Sequence, residues 1–173
     1  MDITTIIVNV AHDILAAQTL VQIVALGIGI GYGTSALTDA MKKSASPGAD
    51  ISGSKIFTSF FIGALMLHFG GAMGHVWESM TGDMRTTYGM VSYAGAERAG
   101  AFKPVINAIL TIISTFGWWY GLKGWTLLRK AASGMNGHED YAWKGLMHIL
   151  GGAAMINITT TLDAFRETTG LVF

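Results

Sequence analysis

Residues 27–43 read GIGIGYGTSALTDAMKK, a stretch in which glycines alternate at the end of an apolar segment and two lysines follow. A similar stretch, GWWYGLKGWTLLRK, occupies residues 117–130. The Tyr-Gly pair at 32–33 lies 88 positions before the Tyr-Gly pair at 120–121, and the run Met41, Lys42, Lys43 lies 88 positions before Arg129, Lys130, Ala131. The two stretches predict an internal duplication in which each half contributes an apolar helix with a basic end.

A second correspondence extends the duplication to the helices that follow. The residues His68, Gly70, Gly71, Ala72 and Met73 recur, with small slips, as His148, Gly151, Gly152, Ala153 and Met155. The separation drifts from 88 to 81 positions, which we attribute to loops of different length. The sequence therefore predicts two tandem helical hairpins, residues 1–103 and 104–173, with both basic loops on one side of a membrane and both termini on the other.

The composition indicates a membrane environment. Hydrophobic residues make up 51% of the chain and charged residues only 13%, too few to cover the surface of a soluble domain. A helix needs about 20 residues to span the hydrocarbon core. Four stretches free of Asp, Glu, Lys and Arg meet this requirement: Ile14–Thr38, Ile56–Trp77, Pro104–Leu122 and Gly145–Leu162. We therefore expect an all-α membrane protein with four transmembrane helices.

Two further segments are predicted to lie on the outer side of the membrane. Residues 3–14 carry apolar side chains at helical spacing, so we expect a short amphipathic helix in the outer interface. The middle connection, Glu78–Lys103, is too polar to cross the membrane and too apolar for a disordered tail. We expect it to form a re-entrant or interfacial segment that touches a neighbouring subunit.

Charge distinguishes the two sides of the membrane. The two hairpin loops and their flanks carry seven of the eleven basic residues, namely Lys42, Lys43, Lys55, Lys123, Arg129, Lys130 and Lys144. The positive-inside rule places these loops in the cytoplasm and the termini and the middle connection outside, which in a bacterium would be the periplasm. For four of these residues the sequence leaves three roles open: contact with anionic lipid head groups, lining of a charged lumen, or marking of topology alone. The four are Lys42, Lys43, Arg129 and Lys130.

Small residues occur along every predicted span and indicate close helix packing. In lipid, a glycine lets a second helix approach to backbone contact. The predicted packing positions are Gly27, Gly29, Gly31, Gly33, Gly70, Gly71, Gly74, Gly117, Gly121, Gly151 and Gly152. This is more contact surface than a lone four-helix protein needs, so we expect a homo-oligomer. We also expect Gly29→Leu or Gly71→Leu to abolish assembly and to leave membrane insertion intact.

Polar side chains within the spans favour interhelical hydrogen bonds, although a pore lining or a proton path stays open for them. They are Gln18, Gln22, His68, His75, Asn107, His148 and Asn157. His68 and His75 lie about 10 Å apart along a helix, which does not suit a metal pair. Because no motif has catalytic spacing, we expect no enzyme, metal or cofactor. The basic loops leave a bound phospholipid open.

Two stretches resemble a known family. Residues 117–130 and residues 148–167, HILGGAAMINITTTLDAFRE, look like the C-terminal half of small inner-membrane proteins of type IVB secretion systems, called IcmC or DotE. The TraQ proteins of I-type conjugation systems are similar. The resemblance covers the second half of the chain and, mainly by hydropathy, the first. It implies a component of an envelope-spanning machine that works with other secretion or conjugation subunits. Protein or single-stranded DNA would pass through that machine without specific nucleic-acid binding.

Each half is also similar in layout to the conjugative pilins, with two glycine-rich helices and a basic cytoplasmic turn. We therefore expect a tandem pilin-like subunit that assembles into a ring, a tube or a pilus. The competing interpretation is a small ion or solute channel or transporter whose duplicated halves enclose a solute path gated by His68 and His75. A holin-like or scaffolding membrane protein is the third interpretation.

Overall fold

The computed structural model describes residues 3–46, 48, 50–133 and 138–170, apart from the side chains of residues 138 and 139. In these ranges the chain forms α-helices, one 3₁₀ helix and no strand. The helices are α1 (Ile3–Ala45), α2 (Gly53–Leu67), α3 (Phe69–Thr81), the 3₁₀ helix (Ala94–Phe102), α4 (Lys103–Ala132), α5 (His138–Ile156) and α6 (Ile158–Thr169). The predicted boundary between the two halves falls at the start of α4.

Helix α1 is continuous over 43 residues, or about 65 Å, about twice the thickness of the hydrocarbon core. Residues 3–14 therefore do not form the separate interfacial helix expected from the sequence, since they are the first turns of α1. No proline interrupts the segment, and Ala11 is fully buried. Packing against the rest of the bundle thus begins in these first turns.

The second and fourth predicted spans are both broken. Helices α2 and α3 meet at His68 with a bend of 99°, and α5 and α6 meet at Asn157 with a bend of 92°. The backbone angles at His68 (φ −119°, ψ 47°) and Asn157 (φ −101°, ψ 42°) lie outside the helical region. Two helices, α1 and the segment ending in α4, are long and apolar enough to cross a membrane, and the number reaches four if each bent pair is one span.

Core packing explains the first break. Helix α3 buries Phe69, Met73 and Trp77 to 3% exposure or less, and the Phe69 ring packs edge to face on Trp118 of α4 with centroids 5.6 Å apart. A straight continuation of α2 would carry these side chains away from α4. The packing contacts of α3 with α4 and α5 therefore favour the bent arrangement.

Side-chain contacts define how the long helices are arranged. Gln18 of α1 bonds Thr115 of α4, and Tyr32 of α1 contacts Arg129 of α4, so residue numbers rise together and the two helices are parallel. Helix α2 runs antiparallel to α1, and α5 runs antiparallel to α4. The bundle therefore consists of two antiparallel hairpins joined through a parallel central pair, with Trp118 at the centre of the core.

Candidate functional site

The two hairpins are closed by the same glycine contact. A Cβ atom added at Gly29 of α1 would lie 2.9 Å from the carbonyl oxygen of Gly63 of α2. A Cβ atom added at Gly117 of α4 would lie 2.8 Å from the carbonyl oxygen of Gly152 of α5. No side chain fits at either place, so the helices meet through their backbones.

The reciprocal contacts also agree. A Cβ atom at Gly63 would lie 3.1 Å from the amide nitrogen of Gly33, and one at Gly152 would lie 2.7 Å from that of Gly121. The contact positions are separated by 88 residues in the first helices (Gly29 to Gly117, Gly33 to Gly121) and by 89 in the second helices (Gly63 to Gly152). The two halves therefore use equivalent residues for equivalent contacts.

This correspondence differs from the sequence alignment in the second helices. The breaks of the two bent pairs, at His68 and Asn157, are also separated by 89 positions. His68 thus corresponds to Asn157 in the structure and not to His148, with which the sequence pattern aligned it. The shorter separation came from a local similarity among glycine-rich apolar residues, which the three-dimensional contacts do not follow.

The other predicted packing glycines lie in several environments. No atom of the described residues comes within 4 Å of a Cβ at Gly27, Gly31, Gly33 or Gly151. Gly70 lies near Gln22 and Trp118, a Cβ at Gly74 would lie 2.7 Å from Thr86 Oγ1, and one at Gly71 would clash with the ring of His68. The nearest atoms to Gly29 and Gly71 thus belong to the same chain. A leucine at either position would therefore disturb the fold of the subunit, and the experiment could not separate this effect from a loss of assembly.

Sequence reasoning missed three contact glycines. Gly63 completes the first hairpin contact, and Gly124 packs on Gly145, where an added Cβ would lie 2.8 Å from the Gly145 carbonyl oxygen. Gly145 and Gly152 are seven residues apart on α5, the spacing that returns to one face of a helix after two turns. That spacing was the available signal for the second contact between α4 and α5.

The middle connection is held by polar side chains of its own chain. The backbone N–H groups of Gly89, Val91 and Tyr93 donate to Gln18 Oε1 (2.9 Å), Thr111 Oγ1 (2.9 Å) and Asn107 Oδ1 (3.1 Å). Alternate residues point the same way in an extended segment, so one face of the segment is bound to α1 and α4. Apolar surroundings demand such partners for non-helical backbone.

Gln18 is the residue that joins these elements. It is fully buried, and its Nε2 atom donates to Thr115 Oγ1 of α4 at 2.9 Å while its Oε1 atom accepts from Gly89. One amide therefore connects α1, α4 and the middle connection. The sequence predicted an interhelical hydrogen bond here, and the structure adds the backbone contact.

Asn157 and Tyr93 connect the middle connection to the second bent pair. The buried Asn157 donates to the carbonyl oxygen of Ala153 at 3.1 Å and accepts from Thr87 at 3.4 Å. The Tyr93 hydroxyl donates to Asp163 of α6 at 3.3 Å. Burial, followed by the charge of Asp163, raises the pKa of Tyr93, so the hydroxyl stays protonated and continues to donate.

The histidines do not gather into one site. His68 is exposed at the first break, and His75 lies 3.0 Å from Glu78 on an exposed surface. His148 contacts its own helix at the carbonyl of Lys144 (2.7 Å), and its ring lies 5.3 Å from that of Tyr120 on α4. Within the described ranges, no three His, Asp or Glu side chains are grouped as a metal site would require.

Gln22 and His68 line a cleft of about 370 Å³ between α1 and the break after α2. Thr19, Met66 and Gly70 complete this part of its wall. Its lining is mainly apolar, with the polar groups near the bend.

The four basic residues lie at two levels of the bundle. The Arg129 guanidinium lies over the Tyr32 ring at 4.2 Å, whereas Lys42 and Lys43 lie about 15 Å further along α1. Lys43 donates to the carbonyl oxygen of Ile51 at 2.7 Å, and Lys42 and Lys130 are exposed. Arg129 thus stabilises the contact of α1 with α4, and the lysines extend toward the surroundings.

Comparison with family models, curated proteins and solved structures gives no match to this chain. The fold itself defines an all-helical protein with helices long and apolar enough to cross a membrane.

Proposed function

We propose that the chain is a non-enzymatic integral membrane subunit of a type IVB secretion or I-type conjugation machine. In this proposal it is a pilin-like building block of the bacterial inner membrane that assembles into a translocation channel or a pilus for protein or DNA transfer. The observation that carries the proposal is the repetition of one glycine-closed hairpin in parallel orientation within a single chain. Repeated packing modules are what an assembly subunit requires.

The surface of the bundle supports a membrane location. Large apolar side chains are exposed on α1, α2 and α4, including Leu20, Ile30, Phe57, Phe60, Phe116 and Trp119. A water-soluble helical bundle would carry charged residues at such positions. Lipid acyl chains and neighbouring subunits are the partners that match this surface.

The parallel arrangement of α1 and α4 supports one topology. Both helices end in basic residues, Lys42 and Lys43 in α1 and Arg129 and Lys130 in α4, so both basic ends lie toward the same end of the bundle. By the positive-inside rule this end is cytoplasmic, and the middle connection is periplasmic. The exposed Lys42 and Lys130 are then placed to contact anionic head groups.

The residues of the family resemblance coincide with the packing contacts. Gly117, Gly121 and Gly152, which close the second hairpin, all belong to residues 117–130 or 148–167. The resemblance thus rests on residues with a structural role, which fits a building block.

A deletion strain tests the proposed function. Removal of the protein from its own bacterium should abolish conjugative DNA transfer or effector secretion without slowing growth, and the wild-type chain should restore it. Gly152→Leu, which forces a side chain against the α4 backbone, should fail to restore transfer, whereas Gly31→Leu on an open surface should restore it. Normal transfer in the deletion strain would refute the proposal.

A small channel or transporter is the second candidate, because both halves are broken at equivalent positions. Discontinuous helices at matching places in two repeats commonly mark the solute site of transporters. His68 and the adjoining cleft would form that site. Purified protein in liposomes would then conduct ions or small solutes, and His68→Ala would alter the flux. A building block of a secretion machine would give no flux by itself.

A further inference from the structure

The two halves are related by a shift as well as a rotation. Gln18 contacts Thr115 and Tyr32 contacts Arg129, so contacting residues of α1 and α4 differ by 97 in number. Equivalent residues differ by only 88, as Gly29 and Gly117 show. Helix α4 is therefore displaced from its equivalent position in α1 by nine residues, or about 13 Å along the helix.

This displacement excludes a closed two-fold relation between the halves. A two-fold axis parallel to the helices would bring equivalent positions of α1 and α4 to the same level. The observed contact instead joins different faces of the two equivalent helices, which is a heterologous interface. Such an interface leaves one complementary face unused on each half.

The unused face of the first half is apolar and exposed. Leu20, Ile23 and Ile30 of α1 are 58%, 60% and 56% exposed. Their equivalents in α4 are Ala108, Thr111 and Trp118, and these are no more than 1% exposed. We name the exposed side the α1 outer face: Leu20, Ile23, Gly27, Ile30, Leu37 and Met41.

The unused face of the second half shows the reverse pattern. Val21 of α1 is 3% exposed against α4, whereas its equivalent Ile109 is 45% exposed. Tyr120, the equivalent of Tyr32, is also exposed. We name this side the α4 outer face: Ile106, Ile109, Ile113, Phe116 and Tyr120.

The exposure of helix α6 independently indicates that the second half lacks a neighbour on this side. Its equivalent α3 belongs to the first half and buries Phe69, Met73 and Trp77 on the second half. None of the described residues of α6 is buried. Met73 of α3 touches Gly121, and the equivalent glycine, Gly33, has an open surface among the described residues. Helix α6 therefore lacks the neighbour that α3 has.

We infer that a second copy of this chain docks head to tail, with its α1 outer face on the α4 outer face of the first copy. This contact copies the internal contact between α1 and α4, and α6 of the first copy then covers the second copy as α3 covers the second half. The inference rests on the proposed assembly function and specifies its interface. Each copy is then displaced from the one before it by about 27 Å along the helices, close to the thickness of the hydrocarbon core. Repetition therefore gives a helical filament that leaves the membrane and not a flat ring.

Exposed positions of the α1 outer face correspond to buried positions of α4, because the two equivalent helices meet through different faces in the internal contact. The two outer faces are therefore the sequence equivalents of the two surfaces that already meet between α1 and α4. Both partners of the contact are present in every copy, so no other protein is needed.

Cysteine cross-linking tests the interface, since the chain contains no native cysteine. Ile106 is the equivalent of Gln18, and Gly27 is the equivalent of Thr115. If the next copy repeats the observed Gln18–Thr115 contact, Ile106 of one copy lies against Gly27 of the next. A chain carrying both Ile106→Cys and Gly27→Cys, treated in intact cells with a short, membrane-permeant bifunctional thiol reagent, should give a ladder of dimers, trimers and longer products. Either single variant alone should stay monomeric, because a head-to-tail contact never brings identical residues together.

Two controls make the result decisive. Phe57 and Leu146 are equivalent residues exposed in both halves, so the pair Phe57→Cys and Leu146→Cys should give no ladder. Tyr120 of one copy and Met41 of the next are the equivalents of the Tyr32–Arg129 contact, so a chain with Tyr120→Cys and Met41→Cys should also give a ladder. Adding Gly27→Trp to this chain should remove its ladder, whereas adding Phe57→Trp should leave the ladder unchanged. Dimers from a single-cysteine variant, or monomers from both interface pairs, would overturn the inference.

The outcomes separate this inference from the proposed function. Cross-linking measures contact between copies in the cell and does not depend on transfer. A ladder together with normal transfer in the deletion strain would refute the function alone. Loss of transfer in the deletion strain without any ladder would refute the interface alone.

Discussion

Gly29 and Gly117 occupy equivalent places in the two hairpins, each with its α-carbon against a glycine carbonyl oxygen of the following helix. The chain thus builds one backbone contact twice, although the surrounding side chains differ. Close approach of this kind is the main source of helix association in lipid, where the hydrophobic effect contributes little between helices.

A side chain at Gly117 should destabilise the subunit. In Gly117→Leu the new atoms meet backbone atoms of Gly152 and Ile156 at 2.8 and 2.7 Å, which neither helix can avoid without moving apart. We expect a loss of about 1–3 kcal/mol or more in the free energy of unfolding. Unfolding by SDS in mixed micelles, followed by tryptophan fluorescence, measures it. Gly31→Leu, on an open surface, is the control, and an equal loss there would contradict the packing argument.

Loss of the Gln18 amide should release the middle connection. Gln18→Met keeps the approximate volume but removes the bonds to Thr115 and to the backbone of Gly89. We expect a destabilisation of about 1–3 kcal/mol, because buried partners lose their hydrogen bonds. Hydrogen exchange at the amide of Gly89 should accelerate much more than exchange within α5. Unchanged protection at Gly89 would show that Gln18 does not hold this segment.

The ring of Tyr32 should stabilise Arg129 through its face and not through its hydroxyl. Tyr32→Leu removes the ring that lies 4.2 Å below the guanidinium, and we expect a loss of about 0.5–2 kcal/mol. Tyr32→Phe retains the ring and should stay close to the wild type in the same SDS unfolding measurement. Equal losses in both variants would assign the effect to the hydroxyl.

The proposed topology predicts which residues an external reagent reaches. Ser52→Cys lies in the loop before α2 and should react with a membrane-impermeant maleimide only after the inner membrane of spheroplasts is permeabilised. Asp83→Cys lies just after α3, at the start of the middle connection, and should react in intact spheroplasts. The reverse labelling pattern would show that the basic ends face the periplasm.

Several features of the fold were accessible from the sequence because they depend on local composition. The two long apolar helices follow from hydropathy, and the separation between Gly29 and Gly117 follows from a conserved spacing around the two Tyr-Gly pairs. Gln18 was recognised as an interhelical residue because an amide within an apolar stretch requires a partner. The partners that the structure gives the middle connection, Gln18, Thr111 and Asn107, belong to the same chain. Its contact with a neighbouring subunit stays a prediction.

The sequence by itself determined the apolar character, the helical class and the correspondence of the first helices of the two halves, because each is carried by residue types and their spacing along the chain. Only the tertiary structure decided the breaks at His68 and Asn157 and the nine-residue shift between α1 and α4. Helical hydropathy is the same for a straight span and a bent one. The bend is favoured by contacts between residues distant in sequence, such as Phe69 with Trp118. The register of α1 against α4 is fixed by partners such as Gln18 and Thr115.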